Sequence, residues 1–100
     1  MILYNVTINV DDDIHHKWLE WMQKEHIPEM LSTGLFTGYR MSRLLDVDDG
    51  GTTYSIQYSC HSLKEYHTYK EKHAPHMQQE GIKRFQDKFT AFRTLMEVVE

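Results

Sequence analysis

His26, in the stretch Glu25-His26-Ile27-Pro28, is the residue of this sequence with the clearest chemical use. Histidine exchanges a proton close to neutral pH, as general acid–base catalysis requires. Because proline disfavours helix in the residue before it, we expect His26 at a helix end, at the mouth of a cleft between helix and sheet. The alternative is that the imidazole only stabilises the carbonyl end of that helix. His26 is therefore a candidate general base.

Aromatic residues at helical spacing are a second candidate feature. Trp18 and Trp21 form one pair, while Tyr66 and Tyr69, followed by His73, form another. Such pairs usually belong to the core, because each ring buries a large apolar area. The same rings could also stack on a planar ligand. Under that interpretation Trp18, Trp21, Tyr69 and His73 are predicted ligand-binding residues.

Three arginines, Arg40, Arg43 and Arg93, lie in predicted strands. An arginine that faces the interior is costly unless it is paired, so each could hold a carboxylate, either from Glu97 or from a ligand. The alternative is an exposed charge on the surface of the sheet. We include Arg40 among the predicted ligand-binding residues.

The sequence gives less support for a metal site or for a catalytic nucleophile. His73 and His76 have the spacing of two ligands on a helix, but Pro75 between them distorts that geometry and no carboxylate or cysteine completes a set. Cys60 is predicted on the apolar side of its strand, with His61 on the opposite side, so they form no catalytic dyad. We expect neither a metal nor another cofactor.

Composition narrows the class of protein. The chain has 100 residues, so residues 1–100 are expected to form a single domain. Acidic residues outnumber basic ones and the net charge is -4, which argues against nucleic acid and anionic membranes as partners. A single cysteine, no signal peptide at the N-terminus and no apolar run long enough to span a membrane predict a cytoplasmic location.

Hydrophobic alternation predicts four strands, at residues 2–10, 36–47, 52–60 and 89–99. Helical spacing begins at Ile14, and we expect Pro28 to interrupt it before a short turn that stops at Gly34. Asp48-Asp49-Gly50-Gly51 is a strong turn signal. A second helix is predicted after Ser62, with an interruption at Pro75. The order βαββαβ predicts an α+β, ferredoxin-like fold with a four-stranded antiparallel sheet.

The predicted sheet has unlike sides. Polar residues share one side of the first and third strands, and apolar residues share the other. The last strand is apolar on both sides: one carries Phe89, Ala91 and Leu95, and the other carries Phe92, Met96 and Val98. One side therefore needs a second cover, which a two-fold related copy of the chain could supply. We expect a homodimer.

Several motifs carry a resemblance that spans almost the whole chain: Tyr4-Asn5-Val6-Thr7, Trp18-Leu19-Glu20-Trp21-Met22, Glu25-His26-Ile27-Pro28, Thr33-Gly34, Gln57-Tyr58, His73-Ala74-Pro75 and Phe89-Thr90-Ala91-Phe92-Arg93-Thr94. With them the chain resembles a bacterial family of uncharacterised proteins of about this length. The resemblance implies a dimeric α+β barrel, in which two four-stranded sheets meet and the helices lie outside. It implies no activity.

More distantly, the histidine-x-proline motif is similar to small dimeric barrel enzymes. These are the EthD-like proteins, the muconolactone-isomerase-like proteins and the cofactor-free quinone-forming monooxygenases. A shared fold does not transfer chemistry. The first hypothesis is therefore a small-molecule site that performs cofactor-free acid–base or monooxygenase-like chemistry on a planar substrate, with His26 as the base. The second is a dimeric module that binds a metabolite or a protein without catalysis, and the third is a purely structural role.

Overall fold

A computed structural model describes residues 1–48 and 50–100. Within them, four strands form one antiparallel sheet in the order β2-β3-β1-β4: β1 (Ile2–Val10), β2 (Gly38–Arg43), β3 (Thr52–Cys60) and β4 (Phe89–Glu97). The helical elements are a 3₁₀ turn (Asp12–Ile14), α1 (His15–Trp21), a π-helical segment (Met22–His26), α2 (Ile27–Ser32), α3 (Leu63–Lys72) and α4 (Ala74–Phe85). This βαββαβ order confirms the predicted α+β, ferredoxin-like fold.

Strand ends follow the prediction closely for β1 and β3, whereas β2 is shorter than residues 36–47 at both ends and β4 ends at Glu97. The predicted turn at residues 48–51 includes Asp49, which lies outside the described residues. In the described part of the chain, no helix combines the length and the apolar character needed to cross a bilayer.

Side chains that alternate along the strands divide the sheet into a helix-facing side and an open side. Tyr4, Val6 and Ile8 of β1 and Ile56 and Tyr58 of β3 are buried on the helix-facing side. The helices α1, α2, α3 and α4 cover this side, so the core lies between them and the sheet. Antiparallel sheets covered on one side only show this division between apolar and polar faces.

Hydrogen-bonded polar side chains cover the open side. Ser55 Oγ donates to Asn5 Oδ1 at 2.6 Å, and Asn9 Nδ2 donates to Thr53 Oγ1 at 3.0 Å. Phe92 lies on the same side of β4 and is 64% exposed. The open side therefore combines a polar centre with an apolar residue on its β4 edge.

Pro28 does not interrupt the first helical region, contrary to the prediction from sequence. α1, the π-helical segment and α2 follow one another without a break. In the π-helical segment the N–H of Ile27 donates to the carbonyl of Met22, five residues earlier. This shift places Pro28 in the first turn of a new α-helical segment, where a missing N–H costs little. The region ends where predicted, at Gly34, which has a φ of 77°.

The second helical region is interrupted at the predicted place. α3 ends at Lys72, His73 has a φ of -121°, and α4 begins at Ala74, with Pro75 in its first turn. The return to helix over α4 is a feature that the sequence analysis did not include. Because α4 packs over the β4 side of the sheet, residues from it form one wall of a cavity between helices and sheet.

Candidate functional site

A cavity of about 190 Å³ lies between the helix-facing side of the sheet and the helices. Its lining is mainly apolar, and its aromatic members are Tyr4, Trp18, Trp21, Tyr58, Tyr69, Phe85 and Phe89. The exposed side chains of Ile82 on α4 and Arg93 on β4 mark the edge where the cavity meets solvent. Walls of this kind, with a few polar groups among them, suit a flat organic ligand.

His26 lies in the wall of this cavity because the π-helical segment turns it towards the core. It is the fifth residue after Trp21, and the wide π turn brings the two rings onto one face of the helix. The rings stack with their centroids 4.8 Å apart and their planes 28° apart. Trp21 therefore fixes the orientation of the imidazole.

The environment keeps His26 uncharged. Burial lowers its pKa from the ordinary value of 6.5 to about 4; the carboxylate of Glu29 opposes this effect and the charge of Arg93 adds to it. The imidazole is therefore neutral at pH 7 and can accept a proton.

Arg93 approaches the cavity from β4, where it pairs with Val6 of β1 and so lies on the helix-facing side. Its positive charge lies close enough to the Tyr4 hydroxyl to favour the ionised form of that group, and the Tyr69 ring packs against the Tyr4 ring with the centroids 5.3 Å apart. Burial raises the pKa of Tyr4, and the positive charge of Arg93 partly offsets the rise. Tyr4 is therefore a protonated hydroxyl beside a positive charge, and it can donate a hydrogen bond to an acceptor in the cavity.

Tyr58 brings a second hydroxyl to the cavity. It lies opposite Tyr4 in the pairing of β3 with β1, and the two ring centroids are 6.2 Å apart. The side chain is 1% exposed, and its hydroxyl has no hydrogen-bond partner among residues 1–48 and 50–100. Burial raises the pKa of Tyr58 well above the usual range of tyrosine, so this hydroxyl is a protonated donor.

Four of the six residues predicted from sequence as site residues lie together in the lining: Trp18, Trp21, His26 and Tyr69. The other two lie elsewhere. Arg40 pairs with Gln57 and projects from the open side of the sheet, where it is exposed. His73 is half-buried at the junction of α3 and α4 and stacks on Tyr69 at 6.5 Å, outside the cavity lining.

Tyr4 and Tyr58 were not predicted to be site residues, and Arg93 was considered only together with the other arginines of the predicted strands. The alternation of side chains along β1, β3 and β4 could have identified all three, because it places them on the helix-facing side of the sheet. Arg93 shares its side of β4 with Phe89 and Ala91, both of which line the cavity.

The cavity lining combines hydrogen-bond donors with a neutral base. Its described residues form no evident metal site. Across the two described stretches, no three or more histidine, cysteine, aspartate and glutamate side chains are grouped so that they could hold a metal ion. Cys60 is a buried free thiol, and its pKa is raised by burial, as expected for a structural cysteine.

Fold and site together define a ferredoxin-like α+β domain with a cavity between helices and sheet. The chain belongs to a family described as a domain of unknown function, DUF4286, whose sequence profile matches residues 1–99. Membership of a family of uncharacterised ferredoxin-like proteins is thereby confirmed. No curated protein sequence matches the chain significantly.

Solved structures share the fold at low sequence identity. A dimeric ferredoxin-like protein from an uncultured marine organism has a TM-score of 0.69 at 9% identity, over 99% of this chain and 95% of that chain. A candidate antibiotic biosynthesis monooxygenase from Nitrosomonas europaea has a TM-score of 0.71 at 11% identity, over 100% of both chains. An ethyl tert-butyl ether D (EthD) family protein from Bacillus halodurans C-125 has a TM-score of 0.67 at 10% identity, over 99% of this chain and 100% of that chain. These similarities establish the fold.

Proposed function

We propose that this domain binds a small planar organic molecule in the cavity and removes a proton from it with His26. The observation that carries the proposal is the neutral imidazole, stacked on Trp21 in an aromatic cavity. In the proposed step, a ring nitrogen of His26 takes a proton from the substrate. The electron pair of the broken bond stays on the substrate as an enolate or phenolate.

A base with a pKa of about 4 is weak on its own. The proposed step compensates for this, because an anion formed beside the new imidazolium favours the charged form of His26. Glu29 acts in the same direction. Oxygenation of the deprotonated substrate is a further extension, supported by the names of three structural neighbours, which are antibiotic biosynthesis monooxygenases or candidates for that class.

The alternative function is a module that binds a metabolite or a protein partner and transforms nothing. The cavity supports this alternative as well, because aromatic walls bind a planar molecule whether or not it reacts. The two differ in turnover: a binding module retains its ligand unchanged, whereas an enzyme releases a product.

We further propose that the domain acts as a cytoplasmic homodimer, with the open sides of two sheets facing each other. Two observations support the dimer: the exposed Phe92 on that side, and the dimeric state named for two structural neighbours. The single, buried and free cysteine is compatible with a reducing compartment.

Native mass spectrometry of the untagged protein is the first test, because it reports the number of subunits and any retained small molecule together. The second uses α-tetralone, a planar aryl ketone, and follows exchange of its acidic C–H with deuterium. Wild type is expected to accelerate exchange, and His26→Gln to lose at least 100-fold of that acceleration. The matched control is His73→Gln, which should exchange like wild type.

Undiminished exchange in His26→Gln would remove His26 from the proposed role. Binding of the ketone without any acceleration in wild type would favour the binding module. A monomer at micromolar concentration would contradict the homodimer.

A further inference from the structure

We propose that the cavity is selective for a planar ligand that carries a singly charged oxygen anion, which Arg93, Tyr4 and Tyr58 bind together. This inference rests on the proposed function and specifies the class of ligand. The shared chemistry is an ionised oxygen on a ring system, either a carboxylate or an ionised hydroxyl.

Charge balance is the first argument. Arg93 is the one residue of the described lining with a permanent charge, and no aspartate or glutamate lines the cavity. Within residues 1–48 and 50–100, no carboxylate lies within ion-pair distance of its guanidinium. Arg93 is exposed at the mouth of the cavity, so its guanidinium is available to a ligand and can bind a carboxylate with two parallel hydrogen bonds.

Unused hydrogen-bond donors are the second argument, and they are independent of the first. The Tyr58 hydroxyl is buried with no partner in the described part of the chain, which is unusual for a polar group in a folded protein. The neighbouring Tyr4 hydroxyl is also protonated, because burial raises its pKa, and it can donate a hydrogen bond as well. A phenolic hydroxyl can donate or accept, and beside the positive charge of Arg93 the ligand atom that suits these two hydroxyls is an acceptor.

Geometry brings these donors to one part of the cavity. Tyr58 and Tyr4 are directly opposed in neighbouring strands, and Arg93 lies on the other side of β1, opposite Val6, with its charge near the Tyr4 hydroxyl. The site therefore holds one positive charge and two hydroxyl donors beside a wall of aromatic rings. One charge suits a singly charged oxygen group better than a phosphate, which carries more charge and needs more donors.

The arrangement also agrees with proton removal by His26. An ionised oxygen that forms on the substrate would find Arg93 and two hydroxyls already in place, as in an oxyanion hole. Arg93 is therefore proposed as a specificity-determining residue.

The test compares charged and neutral probes of the same shape on the full-length protein. Benzoate and its neutral isostere benzamide are titrated by NMR, with the Trp21 indole and His26 ring signals as reporters of cavity binding. Nitrophenol is titrated at a pH above and a pH below its own pKa, so that an ionised hydroxyl is distinguished from a carboxylate. Wild type is expected to bind benzoate, ionised nitrophenol or both at least tenfold more tightly than the neutral counterpart.

Variants assign that preference to residues. Arg93→Gln should bind benzamide as wild type does and lose the preference for the anion, while Arg93→Lys should restore part of it. Tyr58→Phe should weaken anion binding severalfold and benzamide binding less, because a carboxylate is a stronger acceptor than an amide oxygen. Arg40→Gln, which removes an arginine from the opposite side of the sheet, should leave the preference unchanged.

Equal binding of charged and neutral probes by wild type would overturn the selectivity and leave the proposed function standing. An undiminished preference in Arg93→Gln would overturn the assignment to Arg93. Absence of any cavity signal with all three probes and with α-tetralone would count against the proposed small-molecule site itself.

Discussion

The two helical regions carry the same histidine-x-proline motif at different distances from the aromatic residue before it. His26 follows Trp21 by five residues, whereas His73 follows Tyr69 by four. In the first region the additional residue is accommodated by the π-helical segment, with a hydrogen bond from residue 27 to residue 22. In the second, the N–H of His73 donates to the carbonyl of Tyr69 at 2.8 Å, the ordinary α-helical spacing, and the helix then breaks.

This difference decides which histidine reaches the cavity. The His26 ring stacks on Trp21 at 4.8 Å and lines the cavity, whereas the His73 ring stacks on Tyr69 at 6.5 Å outside it. Single π turns inside α-helices occur frequently at functional sites. Here one additional residue in a repeated pattern turns a helix junction into a candidate active site.

The largest expected loss of stability comes from replacing the first aromatic residue of each pair, Trp18 or Tyr66, with alanine. Trp18 is 1% exposed, whereas its counterpart Tyr66 is half-buried against Tyr4. Trp18→Ala should lower the free energy of unfolding by about 3–5 kcal/mol, because it removes a large buried ring from the core. Tyr66→Ala should lower it by roughly half as much. Denaturant unfolding of both variants measures this, and equal losses would contradict a difference between the two regions.

A pH-dependent effect of intermediate size is expected from His26. Its pKa is about 4 in the folded protein, below the ordinary 6.5 that we assign to the unfolded chain. The unfolded state therefore binds the proton first as the pH falls, so stability is lost between about pH 6.5 and pH 4. The shift corresponds to a loss of about 3 kcal/mol over this range.

The test measures the free energy of unfolding against pH for wild type, His26→Gln and His73→Gln. His26→Gln should show a flatter profile below pH 6.5, whereas His73→Gln should keep the decline that His26 causes. An NMR titration of the His26 ring gives the pKa directly. A midpoint close to 6.5 in the folded protein would show that the imidazole is not held neutral by burial.

Most of the fold could be predicted from the sequence, because the alternation of apolar and polar residues indicates which side of a strand is buried. β1 and β3 have the predicted bounds, since each lies in the middle of the sheet and alternates over its full length. β2 and β4 are edge strands with pairing on one side only, and there the apolar pattern continued beyond the paired residues. The first helix was misjudged because the effect of a proline depends on the hydrogen-bond register around it. The sequence did contain a signal for that register: the spacing from the aromatic residue to the histidine is one residue longer in the first region than in the second.

The candidate site was predictable in part for a related reason. Helical spacing brings Trp18 and Trp21 to one wall, to which the π turn adds His26, and alternation puts Tyr4 and Arg93 on the side that faces them. Whether Arg40 or Arg93 faces the cavity depends on how β2 and β4 pair with their neighbours in the sheet. The sequence does not specify that pairing for an edge strand that follows or precedes a long turn. The unpaired Tyr58 hydroxyl depends on neighbours from several elements, so no local pattern reveals it.

The smallest expected effects concern the two glycines that lie eight residues after the histidines. Gly34 ends the first helical region with a φ of 77°, and a Cβ there would meet nothing within 4 Å. Gly81 lies inside α4 with an ordinary helical backbone, and a Cβ there would lie 3.6 Å from Trp21 Cη2 and 3.7 Å from Phe89 Cζ. The first glycine is therefore needed for its backbone and the second is not.

Alanine should consequently have opposite effects at the two positions. Gly34→Ala should destabilise the protein by about 1 kcal/mol, because an L-residue in the left-handed region is strained. Gly81→Ala should stabilise it by about 0.5–1 kcal/mol, because alanine favours helix and the new methyl group makes normal contacts with two rings. Thermal unfolding of both variants measures the signs, with Gly34→Asn as the control, since asparagine tolerates positive φ and should lose less. The same sign at both positions would mean that the repeated glycine has one function in both halves, and the difference between the helical regions would then be confined to the π turn.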